Sequence, residues 1–313
     1  MEFFTVSLLN GTIYGLLLFM VSAGLTLIFG MMGVLNFAHT SFYMVGAYLA
    51  YSLQKVIGFW PAIIISPLIV GVLGALIERY LLRRVHRYGH GHQLLLTFGL
   101  SFIITEVIKL FYGNYPVDYR IPESLSFSAF PLFGADYPFY RLLIGGTSIL
   151  MFVLIYLLLT KTRVGIVVRS AIYRPRMVEA LGHNVPMVFM GVFGVGAALA
   201  GLAGAVAGAF YTTNPNMALE LGVLVFVVVV VGGLGSLEGA MLSSLLIGLI
   251  SSFAVGVDYS LADLFGVFGV REWAEHIGGL VTLKVSSLAA TIPFVLMLLV
   301  LLFRPQGLMG NRE

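Results

Sequence analysis

Asn36 and His39 are the residues whose types and setting suggest chemistry. They follow Gly30 and Gly33, flank Phe37, precede Ser41, and lie between apolar runs at residues 16–29 and 42–53. An amide, an imidazole and a hydroxyl offer hydrogen bonds to a polar solute without fixing a charge in an apolar layer. Two glycines three apart suit a break better than the middle of a membrane helix. In hydrocarbon such irregular backbone survives only where protein covers it or it lines a cavity, and polar residues there read as functional. The pattern recurs downstream. At an offset of 202 residues, Gly30, Gly33, Leu35, Ala38, Ser41 and Gly46 meet Gly232, Gly235, Leu237, Ala240, Ser243 and Gly248. Interrupted hydrophobic segments at corresponding places in two halves point to the solute site of a transporter. The expected pathway set is therefore Gly30, Gly33, Asn36, Phe37, His39 and Ser41 with Gly232, Gly233, Gly235 and Ser236.

Other reactive groups have simpler readings. His86, His90 and His92 form a histidine-rich turn beside several arginines, a solvated loop unless a metal draws them together. Glu106 and Lys109, three residues apart, share a helix face and can neutralise one another; an ion or proton relay is the competing reading. Glu238 sits where it could cap the following helix or face the pathway. The chain has no phosphate-binding P-loop, no HExxH zinc signature and no G-x-S-x-G nucleophile elbow. No enzymatic role, metal or cofactor of its own is expected.

These residues need elements to hold them. Of 313 residues 59% are hydrophobic and 10% charged, with a mean hydropathy of +1.02, against roughly 25% charged in soluble domains. The net charge of +3 and the lack of a basic run interleaved with aromatics give no sign of nucleic-acid binding, and the absence of cysteine excludes disulfides. A spanning helix takes about 20 mostly apolar residues. Residues 7–29, 42–58, 61–82, 93–112, 142–160, 187–210, 238–256 and 287–303 meet that length, so the expected fold is an all-α polytopic membrane bundle of about eight transmembrane helices. Residues 221–231 are too short to span and read as a re-entrant half-helix entering the second glycine turn. Two weakly repeated halves follow from the 202-residue offset, and residues 1–313 form one transmembrane domain. The first apolar segment lacks a basic leader and is expected to be a retained span.

The loops set the orientation. Eleven of the seventeen basic residues fall on three short segments, at 79–87, 161–176 and 304–312. By the positive-inside rule these are cytoplasmic, which puts the C-terminus inside and the N-terminus outside. The long loops at 113–141 and 257–286 then lie outside. The first is rich in X-Pro pairs that favour extended or turn backbone. Residues 261–277 could form a helix lying in the interface, either a docking surface or a plain cover. Inside, residues 161–186 read as a coupling segment: a short amphipathic helix ending near Gly182, or a basic loop without a partner. Gly201, Gly204 and Gly208 give the sixth span a small-residue face for close helix packing.

Several of these stretches together resemble one family. The run from Gly30 through Asn36, Phe37, Ala38 and His39 to Gly46 is similar to a signature of LivH-type permease subunits of branched-chain amino-acid ABC importers. Leu95 to Ser101, Gly232 to Ala240 and the ending Leu302-Phe303-Arg304-Pro305-Gln306-Gly307-Leu308 resemble that family too. So do Arg163, Gly165, Arg169, Glu179, Ala180 and Gly182, which look like the coupling loop of ABC importers. Thr40 departs from the glycine often found there, and Arg174, Pro175, Arg176 and His183 are unusual in the coupling region.

The resemblance implies a permease in the bacterial plasma (inner) membrane. Its expected partners are a second, related permease subunit, two cytoplasmic ATPase subunits that bind ATP-Mg, and an extracytoplasmic substrate-binding protein. The implied cargo is a branched-chain or related small amino acid. Two readings from other classes stay open. One is a self-contained secondary transporter or channel for small polar solutes such as amides, urea or aromatic acids, with Glu106 and Lys109 carrying ions. The other is a membrane scaffold whose breaks serve packing alone.

Overall fold

Apolar side chains around its whole circumference send α1 (Glu2–Met32) to the centre of a helical bundle, where the run from Leu16 to Leu25 is buried on every side. The structure, a computed structural model, describes residues 2–33, 35–133, 135–257, 259–260, 263 and 283–310. Around α1 stand α2 (His39–Ile57), α3 (Phe59–Ile77), α4 (His90–Tyr112) and α5 (Phe139–Lys161). Two short helices follow, α6 (Arg163–Tyr173) and α7 (Pro175–Ala180). Next come α8 (Val185–Ala207), α9 (Met217–Gly232), α10 (Leu237–Gly256) and α11 (Ile292–Phe303).

Among the described residues, seven helices are long and apolar enough to cross a membrane. They are α1, α3 with its continuation to Val85, α4, α5, α8, α10, and α11 with the helical turns from Val285 that precede it. The eighth expected span, α2, is absent from that set: His39, Thr40, Ser41, Ser52, Gln54 and Lys55 make it too polar. The half-helix expected at residues 221–231 is α9, sixteen residues long. Leu95, Leu110 and Leu302 are each more than 70% exposed. Apolar surface of that kind on α4 and α11 suits lipid, where it costs nothing.

Glycines let the central helices touch. A Cβ on Gly46 would lie 2.3 Å from the Gly201 carbonyl oxygen, and one on Gly204 only 1.9 Å from that of Tyr43. The small-residue face of α8 is therefore a packing seam with α2. Gly11 and Gly15 of α1 meet Gly248 and its neighbours on α10 in the same manner.

The 113–138 loop is extended, as its prolines require, and carries a hairpin of β1 (Ser128–Leu132) and β2 (Ala135–Pro138) with Phe130 opposite Tyr137. It is pinned to the bundle. The Tyr119 and Tyr140 hydroxyls donate to the carbonyls of Ala205 and Val206, at 2.7 and 2.8 Å. Those carbonyls belong to the last turn of α8, which has no helical donors left for them. Burial pushes the Tyr119 hydroxyl pKa up, so it stays a donor. At the other end α3 passes through a π turn at Glu78–Leu82. The buried Glu78 carboxylate there accepts from Arg83 at 2.8 Å, and Arg83 also donates to the Pro186 carbonyl at the start of α8. The interfacial helix expected at residues 261–277 lies outside the described residues, apart from Asp263.

Candidate functional site

Both glycine turns and the coupling segment meet at one end of the bundle. Gly30, near the end of α1, approaches the backbone of Gly235: a Cβ on Gly30 would sit 3.2 Å from Gly235 Cα. A cavity of about 270 Å³ opens beside that contact. Gly30, Thr26 and Met31 of α1, Gly235, Ser236 and Glu238 of the second turn, and Arg169 of α6 all line it. Gly232, Gly233 and the rest of the first break do not.

The first break is longer than a turn. After Met32 the chain leaves helix with Gly33 at φ +63°, its N–H still bonded to the Phe29 carbonyl at 2.8 Å. It does not resume helix until His39. Residues 35–38 run back into the bundle beside α4: the Phe37 N–H donates to Thr97 Oγ1 at 3.2 Å, and Ser41 Oγ donates to Ser101 Oγ at 3.0 Å. His39 Nε2 lies 2.9 Å from the Val21 carbonyl oxygen. Val21 is eleven residues before the end of α1, about 16 Å back along its axis. The start of α2 thus packs beside the middle of α1, and Asn36 and Ala38 just before it are buried in protein.

The polar atoms of this break are not all satisfied. Asn36 Oδ1 accepts from the Ala38 N–H at 3.0 Å, but the buried Asn36 Nδ2 and His39 Nδ1 have no partner. A void of about 30 Å³ adjoins Asn36, Phe37, His39 and Thr40, with Gly222 and Phe226 of α9 across it. That is room for about one water. The Phe37 ring is half exposed and stacks on Phe226, with centroids 6.5 Å apart, and meets Phe98 edge-on at 6.2 Å.

The second turn is short. Gly233 (φ +105°) and Gly235 (φ +85°) supply left-handed backbone that other residues adopt only at a cost. Ser236 Oγ then accepts from the Gly239 N–H at 3.0 Å and starts α10 at once. Sequence reasoning missed what holds this turn. The chain end folds back over it, with Leu308 and Met309 N–H groups donating to the carbonyls of Val231 and Gly232, at 2.8 and 3.0 Å. A Cβ on Gly307 (φ +81°) would strike Gly233, and one on Gly233 would strike Gly310, so neither position has room for a side chain. Gly307, two residues after Pro305, is the signal that could have revealed it.

The coupling segment is two helices, because Pro175 opens the second and removes a donor from the first. Thr162 caps α6 by accepting from the Gly165 N–H at 3.1 Å. A Cβ on Gly165 would be 2.2 Å from the Leu159 carbonyl oxygen, so only glycine permits the fold of α6 onto α5. Gly182 (φ +86°) ends α7: its N–H reaches the Glu179 carbonyl and that of His183 reaches Val178, a Schellman closure. Buried Val168 of α6 packs with Met31 of α1 and Val192 of α8, while Ala171, Val178 and Val185 tie α6 and α7 to the start of α8. Arg163, Arg169, Glu179 and Ala180 remain exposed.

Other sequence candidates go elsewhere. Glu106 and Lys109 pair with each other at 2.7 Å. Gln93 holds His86 at 2.8 Å, and the His92 ring lies against Tyr88.

A bundle of apolar spans around a protein-covered break defines a multi-span helical membrane protein of permease type. The family described as the branched-chain amino acid transport system permease component matches residues 7–302, and this chain belongs to it. The chain is 27% identical to the high-affinity branched-chain amino acid transport system permease protein BraD of Pseudomonas aeruginosa, over 98% of this chain and 95% of that protein. To the LivH permease protein of Escherichia coli K12 it is 25% identical, covering 99% and 97%. To the probable LivH of Methanocaldococcus jannaschii it is 29% identical, covering 95% and 90%. Among solved structures, PsaBC from Streptococcus pneumoniae in complex with Fab aligns over 95% of this chain and 91% of that one, at 12% identity. Its TM-score of 0.45 marks too loose a superposition to define a shared fold.

Proposed function

We propose that this chain is the membrane permease subunit of an ATP-driven importer for branched-chain or related small amino acids. It works with a second permease subunit, two cytoplasmic ATPases that bind ATP-Mg, and an extracytoplasmic binding protein. It lies in the bacterial plasma (inner) membrane with its basic loops and C-terminus in the cytoplasm and its N-terminus outside.

The observation that carries this reading is the 270 Å³ cavity, where Gly30, Gly235, Ser236 and Arg169 share one wall. Displacement of α6 and α7 by a cytoplasmic partner is passed through Val168 to Met31, and so to the turn that begins the first break. The break and the second turn then open or close the pathway. Asn36, Phe37, His39 and Ser41 carry cargo past, and Gly33, Gly232 and Gly233 supply the backbone freedom. An uncharged amide and imidazole suit a conduit, which must release what it holds.

Reconstitution tests this. The complete complex should take up leucine only with ATP and loaded binding protein, and the chain alone should not. Gradient-driven uptake by the chain alone would favour a secondary transporter, a reading to which the exposed, self-paired Glu106–Lys109 couple lends nothing. For the coupling segment, Gly182→Asp should depress the ATPase response to loaded binding protein while the binding protein still takes cargo. An unchanged response would remove Glu179, Ala180 and Gly182 from that role.

A further inference from the structure

A second cavity lies at the opposite end of the bundle, among α1, α5, α9, α10 and the start of α11. Its volume is about 910 Å³, within the range of about 300–1,000 Å³ usual for small-molecule sites. Two charged residues line it, Arg141 in the first turn of α5 and Glu220 in the first turn of α9. Arg141 donates to Asn10 Oδ1, and its guanidinium lies 5.5 Å from the Tyr137 ring centroid and 5.3 Å from that of Phe210. Its Nε is buried without a partner. Among the described residues, no carboxylate forms an ion pair with Arg141 and no basic group forms one with Glu220. A guanidinium held by packing, with no counter-ion among the described residues, suits an anion arriving from outside.

We propose that this cavity receives a zwitterionic amino acid, its carboxylate on Arg141 and its ammonium on Glu220, with an aliphatic side chain against Leu224 and Phe294. A simple carboxylate would be repelled by Glu220, and a simple amine by Arg141. A ligand with both charges meets both groups, and the remaining wall is mainly apolar. The class of cargo rests on the importer reading above; the site and its two charges do not.

The test uses the complete complex in nanodiscs, without binding protein, and equilibrium binding of radiolabelled leucine. The competitors are 4-methylpentanoate, which lacks the amine, and 3-methylbutylamine, which lacks the carboxylate. Both should displace leucine at least tenfold less well than leucine itself. Arg141→Gln should weaken leucine at least tenfold and erase its advantage over the amine; Glu220→Gln should erase its advantage over the carboxylate. Glu220 is exposed, so its variant reports even where Arg141→Gln fails to fold. Leucine binding with wild-type discrimination in Glu220→Gln overturns the site. If ATP-driven leucine uptake persists in that case, the importer reading stands without it. A wild-type complex that neither binds nor imports leucine, isoleucine or valine overturns the importer reading and the site together.

Discussion

The two glycine turns share a sequence pattern and differ in almost everything the pattern does. At the 202-residue offset the glycines align, yet α10 begins at Leu237 while α2 begins at His39, four residues later in register. The difference lies at the cap. Ser236 accepts the Gly239 N–H and nucleates helix immediately, whereas the corresponding residue in the first turn is Val34, which has no acceptor. There Asn36 accepts from Ala38 instead, a local turn that competes with helix. One break is closed by backbone contact and the chain end; the other is drawn into the bundle with polar atoms unpaired. Of the two, the first keeps unpartnered polar atoms beside a small void, and the second is closed by backbone contact.

That contrast can be broken by substitution. The largest effect is expected from Gly232→Val. A Cβ there meets the Gly239 carbonyl carbon at 2.5 Å, and overpacking of this kind costs about 3 kcal/mol. Thermal unfolding of the purified protein should show it. Gly33→Ala, whose nearest neighbour is the His90 ring at 3.8 Å, should lose only about 1–2 kcal/mol of left-handed strain. Equal losses at the two positions would erase the distinction.

Removing the chain beyond Gly307 deletes the two hydrogen bonds to Val231 and Gly232. At about 1 kcal/mol each, this should lower stability by about 2 kcal/mol. Hydrogen exchange should rise at the second turn and stay unchanged at residues 35–41; a rise at both would mean that the chain end braces the whole end of the bundle.

Ser41→Ala removes the 3.0 Å bond to Ser101 and should cost about 1 kcal/mol. The smallest effect on stability is expected from Asn36→Leu. It loses the acceptor for Ala38 but also removes the unpartnered Nδ2, so the two nearly cancel. Uptake by the complete complex should nonetheless fall sharply. Full uptake in this variant would assign the break to packing alone, the scaffold reading.

Much of this was legible from residue order. Span length and the Pro-rich loop follow from local preferences. So do the helix end at Gly182 and the short half-helix before Gly232. Less legible was which glycines serve a turn and which serve contact: Gly33 and Gly233 need positive φ, while Gly46, Gly204 and Gly232 need a neighbour's backbone close by. A sequence writes both kinds with one letter. Arg141 and Glu220 drew no notice because neither belongs to a motif and 79 residues separate them.

By itself the sequence determined that this protein is a multi-span helical membrane protein, which stretches form its long helices, and where two of them break. Those properties depend on hydropathy and on bonds between near neighbours. Tertiary structure alone decided that the first break rises beside Val21, that Gly30 rests on Gly235, and that the chain end seals the second turn. It also brought Arg169 to the glycines, and Arg141 and Glu220 to one cavity. Each of these joins residues far apart in the chain, and their meeting depends on how whole helices pack.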